Sequence, residues 1–178
     1  MGLTYISSVT ASASATVSFT TGIDATYNEY QFHCVNMHPA TNDVIFHFQV
    51  NAAGASGFNE TITSTYFHAY HNEPDNGSGL VYRTADDQAQ GTAYQHLAVD
   101  VGSDADQSVS GVLTLYAPSS TTYVKHFVSR VNIYHEADYS VDTYAAGYIN
   151  TTAAIDEISF KMSSGNIDSG TIHMYGVG

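Results

Sequence analysis

The fold class is decided by one stretch, Val44-Ile45-Phe46-His47-Phe48-Gln49-Val50. Apolar residues occupy every second position of this stretch, and His47 and Gln49 fall between them. Successive side chains of a β-strand point to opposite faces, so such a run buries one face and leaves the other in water. The same alternation recurs along the chain, in segments such as 14–20 and 155–163, and no convincing run at helical spacing interrupts it. The sequence therefore predicts an all-β protein.

About ten to twelve strands are predicted, joined by segments with turn chemistry. The predicted strands are 3–9, 14–20, 29–36, 43–51, 60–70, 80–84, 92–101, 108–117, 122–135, 140–149, 155–163 and 170–177. No linker or internal repeat divides the chain, so residues 1–178 are expected to form a single domain. Many short antiparallel strands with one wet face favour two packed sheets. We expect a jelly-roll-like β-sandwich.

The charge is strongly one-sided. The chain carries 17 Asp and Glu against 4 Lys and Arg, a formal net charge of −13. Four basic residues cannot form the positive stripe that phosphates require, so we expect no nucleic-acid partner and no binding to an anionic membrane surface. The acidity instead favours solubility and opposes non-specific association.

Three further features narrow the class of protein. Cys34 is the only cysteine, so no intrachain disulfide exists and a buried structural thiol is expected. The N-terminal segment 1–6 lacks the basic and apolar regions of a secretory signal, and we reject Gly2 as a myristoylation site because a strand begins there. No stretch approaches about 18 continuous apolar residues, so no membrane insertion is expected.

Nine histidines suggest metal binding, but their spacing does not support it. His68 and His71 point to opposite faces of a strand, and cannot easily share one ion. We expect the histidines of the sheets to be solvated, because they alternate with apolar residues; these are His33, His47, His96 and His173. Protonation of solvated histidines toward pH 5 would lower the net charge and promote association without unfolding.

No constellation of residues identifies a catalytic or cofactor site. The loops Asp104-Ala105-Asp106-Gln107-Ser108 and His71-Asn72-Glu73-Pro74-Asp75 place oxygens at alternate positions, as calcium loops do, but neither has a complete ligand set. Neighbouring carboxylates such as Asp156 and Glu157 are expected by chance among 17 acids. The chain lacks nucleophile-elbow, P-loop and zinc-protease motifs. We expect no enzyme activity, no metal and no cofactor.

Three stretches carry a resemblance to a known group of proteins. They are Phe19-Thr20-x-x-Ile23-Asp24-x-x-Tyr27-x-x-Tyr30-x-Phe32 with Asn36-Met37-His38-Pro39-Ala40-Thr41, then Ser119-Ser120-Thr121-Thr122-Tyr123-Val124-Lys125-His126, and Ile158-Ser159-Phe160-Lys161-Met162-Ser163-Ser164-Gly165-Asn166-Ile167-x-x-Gly170-Thr171-Ile172-x-x-Tyr175-Gly176. Together they resemble the small β-rich virion structural proteins of tailed bacteriophages from marine bacteria. Related ends often have Lys and Leu in place of His173 and Met174. The resemblance covers nearly the whole chain and brings no catalytic residues.

The resemblance implies a non-enzymatic virion structural protein, displayed on the capsid as a decoration or head fibre, or on the tail as a fibre or appendage. Such a protein is assembled in the host cytoplasm without a signal peptide. Its expected partners are identical subunits, with a homotrimer favoured, and other virion proteins. Symmetric assembly would use apolar and aromatic residues beyond the needs of one core.

An alternative function is that of an adhesin or receptor-binding module that recognises a host envelope glycan. Loops at one end of a β-sandwich commonly carry binding residues. The exposed loop from Asn72 to Gly79 and its neighbouring aromatic residues are the candidates for ligand contact. The candidate residues are Tyr66, Tyr70, His71, Glu73, Asp75 and Tyr82.

Overall fold

The structure is a computed structural model that describes residues 2–178, and within this range it contains strands and turns but no helix. Every strand pair is antiparallel. The twelve strands are β1 (Leu3–Ser14), β2 (Val17–Phe19), β3 (Glu29–Pro39), β4 (Val44–Ala52), β5 (Ile62–Asn72), β6 (Ser78–Tyr82), β7 (Gln95–Val101), β8 (Val109–Tyr116), β9 (Lys125–His135), β10 (Tyr139–Ile149), β11 (Ile155–Met162) and β12 (Ile167–Val177). The prediction of an all-β, antiparallel protein is confirmed.

Each of the twelve predicted segments overlaps an observed strand, and the differences lie at the ends. β9 begins at Lys125, not at residue 122, because the hydroxyl of Ser120 accepts hydrogen bonds from the backbone N–H groups of Thr122 and Tyr123 and holds them in a turn. β1 continues to Ser14, where it pairs with the beginning of β12. Hydrogen bonds to distant segments therefore set the strand limits that local patterning misplaces.

The strands form one connected sheet that branches at β9. Eight strands follow one another in the order β1-β12-β3-β8-β9-β10-β5-β6, and four more follow in the order β7-β4-β11-β2. The two sets meet where Val101 at the end of β7 pairs with His135 at the end of β9. β6 pairs only with β5, and β1 pairs only with β12, so these two strands are edges of the eight-stranded set.

Strands of both sets contribute to one hydrophobic core. Aromatic rings meet across it from strands that are not hydrogen-bonded neighbours: Phe32 lies 5.8 Å from Phe160, and Phe48 lies 5.1 Å from Phe127. Every strand except β6 contributes a buried apolar side chain to this core. Cys34 is buried there, as predicted, and burial raises the pKa of its thiol to about 12. The thiol is therefore protonated and unreactive at neutral pH.

The prediction that His47 faces solvent is wrong. β4 is buried on both faces, and His47 is only 8% exposed. Its neighbour Gln49 on the same face donates hydrogen bonds to the carbonyl oxygens of Glu60 and Ala93, which belong to the segments that cover this face. Burial, then the nearby His96 and Lys161, lower the pKa of His47 to about 4. The other three sheet histidines, His33, His96 and His173, are half-buried.

Candidate functional site

Both arginines of the chain are paired with carboxylates. The Nε of Arg83 donates to Asp86 at 2.7 Å, and an Nη atom of Arg83 lies 3.8 Å from Asp100. Arg130 donates to Asp142 across β9 and β10, with a closest distance of 2.8 Å. Neither guanidinium therefore adds a free positive charge to the surface.

Both lysines are likewise occupied by contacts within the protein. Lys125 is completely buried, and its ammonium donates to the carbonyl oxygens of Tyr123 and Thr151, each at 3.1 Å. The ammonium of Lys161 lies 4.1 Å from the centre of the Tyr94 ring, within range of a cation–π interaction. With all four basic residues engaged, the surface offers an anion no free basic side chain.

The buried carboxylate of Asp86 is the centre of the largest ionic network. Its side chain is 6% exposed, and it accepts hydrogen bonds from Arg83 and, at 2.9 Å, from Nδ1 of His96. Burial by itself would raise the pKa of Asp86, but the hydrogen bonds from His96 and Arg83 hold that pKa below its ordinary value. Asp86 therefore remains ionised and fixes Arg83 in position.

Asp100 lies on the other side of the same guanidinium. Its carboxylate is 3.5 Å from Nε2 of His135 and 3.8 Å from Arg83. The hydrogen bond from His135 is the main cause of a lowered pKa at Asp100, and Arg83 adds to it against the effect of burial. Asp100 also has a left-handed backbone conformation, with φ of +56°, at the end of β7. Aspartate adopts this conformation more readily than most residues other than glycine.

These groups open onto a surface hollow of about 360 Å³, which we name the Arg83 hollow. Its lining residues are His68, Tyr70, Arg83, Asp100, His135, Ala137, Tyr139 and Val141. His68 is 7% exposed, and its Nδ1 has no hydrogen-bond partner among the described residues. Burial, and then the charge of Arg83, lower the pKa of His68, so the imidazole is neutral at pH 7. The hollow thus combines a cation, an anion, neutral imidazole and aromatic walls.

A second hollow of about 340 Å³ lies next to the Arg83 hollow and shares Tyr139 with it. Its lining residues are His71, Asn72, Glu73, Asn132, Ile133, Tyr134, Tyr139 and Ser140. The polar groups here bind one another: the hydroxyl of Tyr134 donates to Glu73 at 3.1 Å, and Asn132 donates to Ser140 at 3.1 Å. The contact with Glu73 raises the pKa of Tyr134 to about 12. Fewer free polar groups remain for a ligand in this hollow than in the Arg83 hollow.

The structure distributes the six predicted contact residues over two faces. Tyr70 lines the Arg83 hollow, whereas His71 and Glu73 line the second hollow. Asp75 is exposed in the turn after β5 and lies 3.1 Å from His71. Even-numbered and odd-numbered residues of β5 point to opposite sides of the sheet, so these side chains cannot all reach one ligand.

Tyr66 and Tyr82 complete the predicted set. The prediction for Tyr66 is wrong, because its ring is 0% exposed and its hydroxyl meets Thr143 inside the protein at 3.5 Å. Tyr82 is exposed, and its hydroxyl donates to Asp87. Sequence reasoning missed Arg83, Asp100 and His135, which come from three separate segments and are joined only by the fold.

The outer face of the eight-stranded set, the side turned away from the core, carries a continuous row of facing residues. Across the strands from β6 to β1 the row is Tyr82, Phe67, Tyr144, Arg130, Val112, His33, His173 and Ser8. Phe67 and Tyr144 are stacked with centroids 5.0 Å apart and an angle of 3° between their planes. The guanidinium of Arg130 lies 5.2 Å from the centre of the Tyr144 ring. Each side of the Tyr144 ring is therefore already occupied.

Residues 2–178 contain no group of three His, Cys, Asp or Glu side chains placed to hold a metal ion. Among the expected chance pairs of carboxylates, Glu157 accepts a hydrogen bond from Asn51 at 2.6 Å and so has a structural contact. The described chain also contains no helix with the length and apolar character needed to cross a membrane.

Comparison of the chain with protein-family models, with curated proteins and with solved structures finds no match in any of the three.

Proposed function

We propose that this chain is a non-enzymatic structural protein of a tailed bacteriophage virion, displayed on the capsid or on the tail. The three stretches that resemble such proteins, residues 19–41, 119–126 and 158–176, support this assignment. They map onto the end of β2 with β3, the turn before β9, and β11 and β12 with the turn between them, so the resemblance involves parts of the fold that are far apart in the chain. The test is mass spectrometry of purified virions, in which absence of the protein from the particle would overturn the proposal.

We further propose that the strands form a jelly-roll-like sandwich. One layer is the eight-stranded set, and the other is β7-β4-β11-β2. The aromatic contacts between Phe32 and Phe160 and between Phe48 and Phe127 support two layers packed face to face. A crystal or cryo-EM structure would test this arrangement, and a single curved layer without a facing sheet would contradict it.

The observation that carries the assembly role is the composition of the outer face. Only three of the 17 acidic residues, Glu29, Asp142 and Asp168, lie in the eight strands of this set. Asp142 is paired with Arg130, and Glu29 and Asp168 lie at strand ends. Exposed apolar side chains such as Val128 are spread over the same face. Each copy of the chain has a net charge of −13, and the electrostatic repulsion between two copies is weakest when they meet through this face.

Identical subunits, as a homotrimer, are therefore the proposed occupants of the outer face. Val128 lies on this face between Thr114 and Ala146, and replacement by glutamate would place a charge in the interface. Val128→Glu should dissociate the oligomer in light scattering coupled to size exclusion. Thr122→Glu, in an exposed turn, is the control with the same added charge and should leave the mass unchanged. A wild-type chain that is monomeric at micromolar concentration would refute self-assembly.

A second candidate function is binding of a host envelope glycan. The observation in its favour is the Arg83 hollow, where Tyr70 from the predicted set meets charged groups and a buried imidazole. Aromatic walls with a few convergent polar groups are typical of small-molecule sites. A glycan array prepared from host envelope polysaccharides would test this function. Docking of the protein on particles without binding to any host glycan would contradict it and leave the structural role intact.

A further inference from the structure

We propose that the Arg83 hollow binds one uncharged sugar residue of a glycan. The inference rests on the second candidate function and deepens it by naming the site and the class of ligand, and it is independent of the virion assignment. The hollow's volume of about 360 Å³ lies near the lower end of the roughly 300–1,000 Å³ usual for small-molecule sites. It therefore suits a single ring better than a long chain.

The first argument is the unpartnered imidazole of His68. Its Nδ1 is buried, finds no hydrogen-bond partner among the described residues, and belongs to a side chain that lines the hollow. A buried polar atom without a partner costs free energy, and native proteins usually satisfy such atoms. Nδ1 itself has almost no accessible surface, so a ligand hydroxyl reaches it only after rotation of the His68 ring; a hydroxyl then suits either tautomer, because it both donates and accepts.

The second argument is the spacing of Arg83 and Asp100. At 3.8 Å their charged atoms are too far apart for a hydrogen bond, although the two groups face each other. Arg83 uses its Nε for Asp86, so its Nη donors remain for other partners. Neighbouring hydroxyls of a sugar match this pair, since one donates to the carboxylate of Asp100 and the next accepts from the guanidinium.

The charges of the site disfavour an anionic ligand. Asp86 and Asp100 flank Arg83, so the two carboxylates outnumber the one guanidinium and oppose a carboxylate or phosphate group. His68 is neutral at pH 7 and adds no positive charge to offset them. An uncharged polyhydroxylated ring meets no such opposition and offers hydroxyls to both charged groups.

The aromatic walls supply the apolar contact that a sugar ring needs. Tyr70 and Tyr139 lie with centroids 5.8 Å apart at an angle of 64°, and His135 lies 5.3 Å from Tyr139. Gly79 of β6 leaves room for Tyr70 in this place, because an added Cβ at Gly79 would lie 2.9 Å from the Tyr70 ring. The C–H groups of a sugar pack on such rings while its hydroxyls reach the polar groups.

The test is a titration of the ¹⁵N-labelled full chain with three neutral probes at millimolar concentration: methyl glucoside, methyl galactoside and methyl N-acetylglucosaminide. At least one probe should shift the backbone NMR signals of His68, Arg83 and Asp100, which line this hollow and not the second one. Glucuronate serves as the anionic probe and should bind at least about tenfold more weakly than the best neutral probe, because its carboxylate approaches two carboxylates of the site. Stronger binding of glucuronate, or no localised shifts with any neutral probe, would overturn the proposal.

A pair of matched variants provides a second test of the proposed site. Asp100→Asn keeps the side chain's shape and removes the charged acceptor, so it should weaken binding of the neutral probe by about tenfold or more. Asp106→Asn makes the same chemical change in the loop before β8, outside the hollow, and should leave binding within about twofold. Equal effects of the two variants would contradict the site. Should Asp100→Asn fail to fold, as circular dichroism would reveal, the shifts mapped on the wild-type chain decide the question alone.

The experiment also separates this inference from the second candidate function. A host glycan that binds on the array while shifting signals only around the second hollow, at residues such as His71 and Glu73, would reject the Arg83 hollow and retain glycan binding. Absence of binding on the array together with absence of shifts would reject both.

Discussion

The buried imidazole of His47 makes a specific prediction about stability and pH. In the folded chain His47 has a pKa of about 4, because burial, His96 and Lys161 all oppose its charged form. In the unfolded chain an ordinary histidine has a pKa near 6.5. Between these two values the unfolded chain binds a proton that the folded chain does not bind. The contribution to stability is therefore complete above about pH 6.5 and falls as the pH drops toward 4.

The size of the effect follows from the two pKa values. At about pH 5, protonation of His47 in the unfolded chain lowers the free energy of unfolding by about 2 kcal/mol. For a chain of this length that corresponds to a fall of about 4–8 °C in the melting temperature. Burial also lowers the pKa values of His33 and His68, which adds to the fall with the same sign. The lowered carboxyl pKa values of Asp86 and Asp100 act only at lower pH, since both groups stay ionised in this window.

The assay compares thermal unfolding at neutral pH and at about pH 5 by circular dichroism, with light scattering recorded in parallel. His47→Leu removes the titrating group from a buried site and should recover about 2 kcal/mol of the acid-induced loss. His126→Leu, at an exposed position of β9, is the control and should keep the wild-type slope. A wild-type stability that does not change between the two pH values, or a His47→Leu variant with the wild-type slope, would refute the reasoning. Increased scattering with an unchanged melting temperature would instead support the sequence-based expectation of association without unfolding.

Three other predictions concern charge and packing. Arg83→Gln should lower the free energy of unfolding by about 2–3 kcal/mol, because the buried carboxylate of Asp86 would lose one cationic donor. The control Arg130→Gln breaks an exposed pair and should leave the urea midpoint nearly unchanged. Equal losses of stability in the two variants would contradict the effect of burial. Gly111→Ala should cost about 2–3 kcal/mol in urea unfolding, because the added methyl group would overlap the backbone carbonyl of Arg130, whereas Gly2→Ala meets no atom and should have no effect. The melting temperature should rise as NaCl increases from about 10 to about 150 mM, since salt screens the repulsion among 17 acidic residues, and a flat or falling curve would contradict this.

The strands were predictable because the alternation of apolar residues is a local signal. In β9, for example, Phe127, Val131 and Ile133 are buried while Val128 and Arg130 between them are exposed, as period-two patterning requires. The sequence does not indicate the order of the strands in the sheet, because that order depends on pairing between segments distant in the chain. The connection of β7 to β9 rests on a single pair, Val101 and His135, and no local pattern indicates it.

The similarity of the two faces of β5 explains why Tyr66 was wrongly predicted to contact a ligand. Tyr66, His68 and Tyr70 alternate with Phe67 and Ala69, so both faces of this strand carry aromatic rings. Hydrophobic patterning cannot tell which face turns inward when the two are so alike. The choice is made by partners distant in the chain, such as Thr143 opposite His68 and Tyr144 opposite Phe67.

The wrong prediction for His47 has a different cause, because the alternation along β4 does identify the face that points to the core. The other face of β4 would be exposed to solvent if no segment covered it. It is instead covered by the segments 53–61 and 83–94, whose carbonyl groups accept hydrogen bonds from Gln49. Irregular segments have no periodicity, so their final position over a strand cannot be read from the sequence around them. The Arg83 hollow was unpredictable for the same reason, since Arg83 and Asp86 belong to one of these segments.

The two proposed surfaces of β5 can act at the same time because strand geometry separates them. Phe67 points to the outer face, where it stacks on Tyr144, and His68 points to the inner side, where it lines the Arg83 hollow. Since consecutive side chains of a strand lie on opposite faces, a subunit that covers Phe67 leaves the Arg83 hollow open. The shared element is β5 itself, so a register shift of one residue would exchange the two faces and remove both surfaces together. Variants confined to one face should therefore change either assembly or sugar binding, and a Val128→Glu variant that dissociates the oligomer should still bind the neutral glycoside with unchanged affinity.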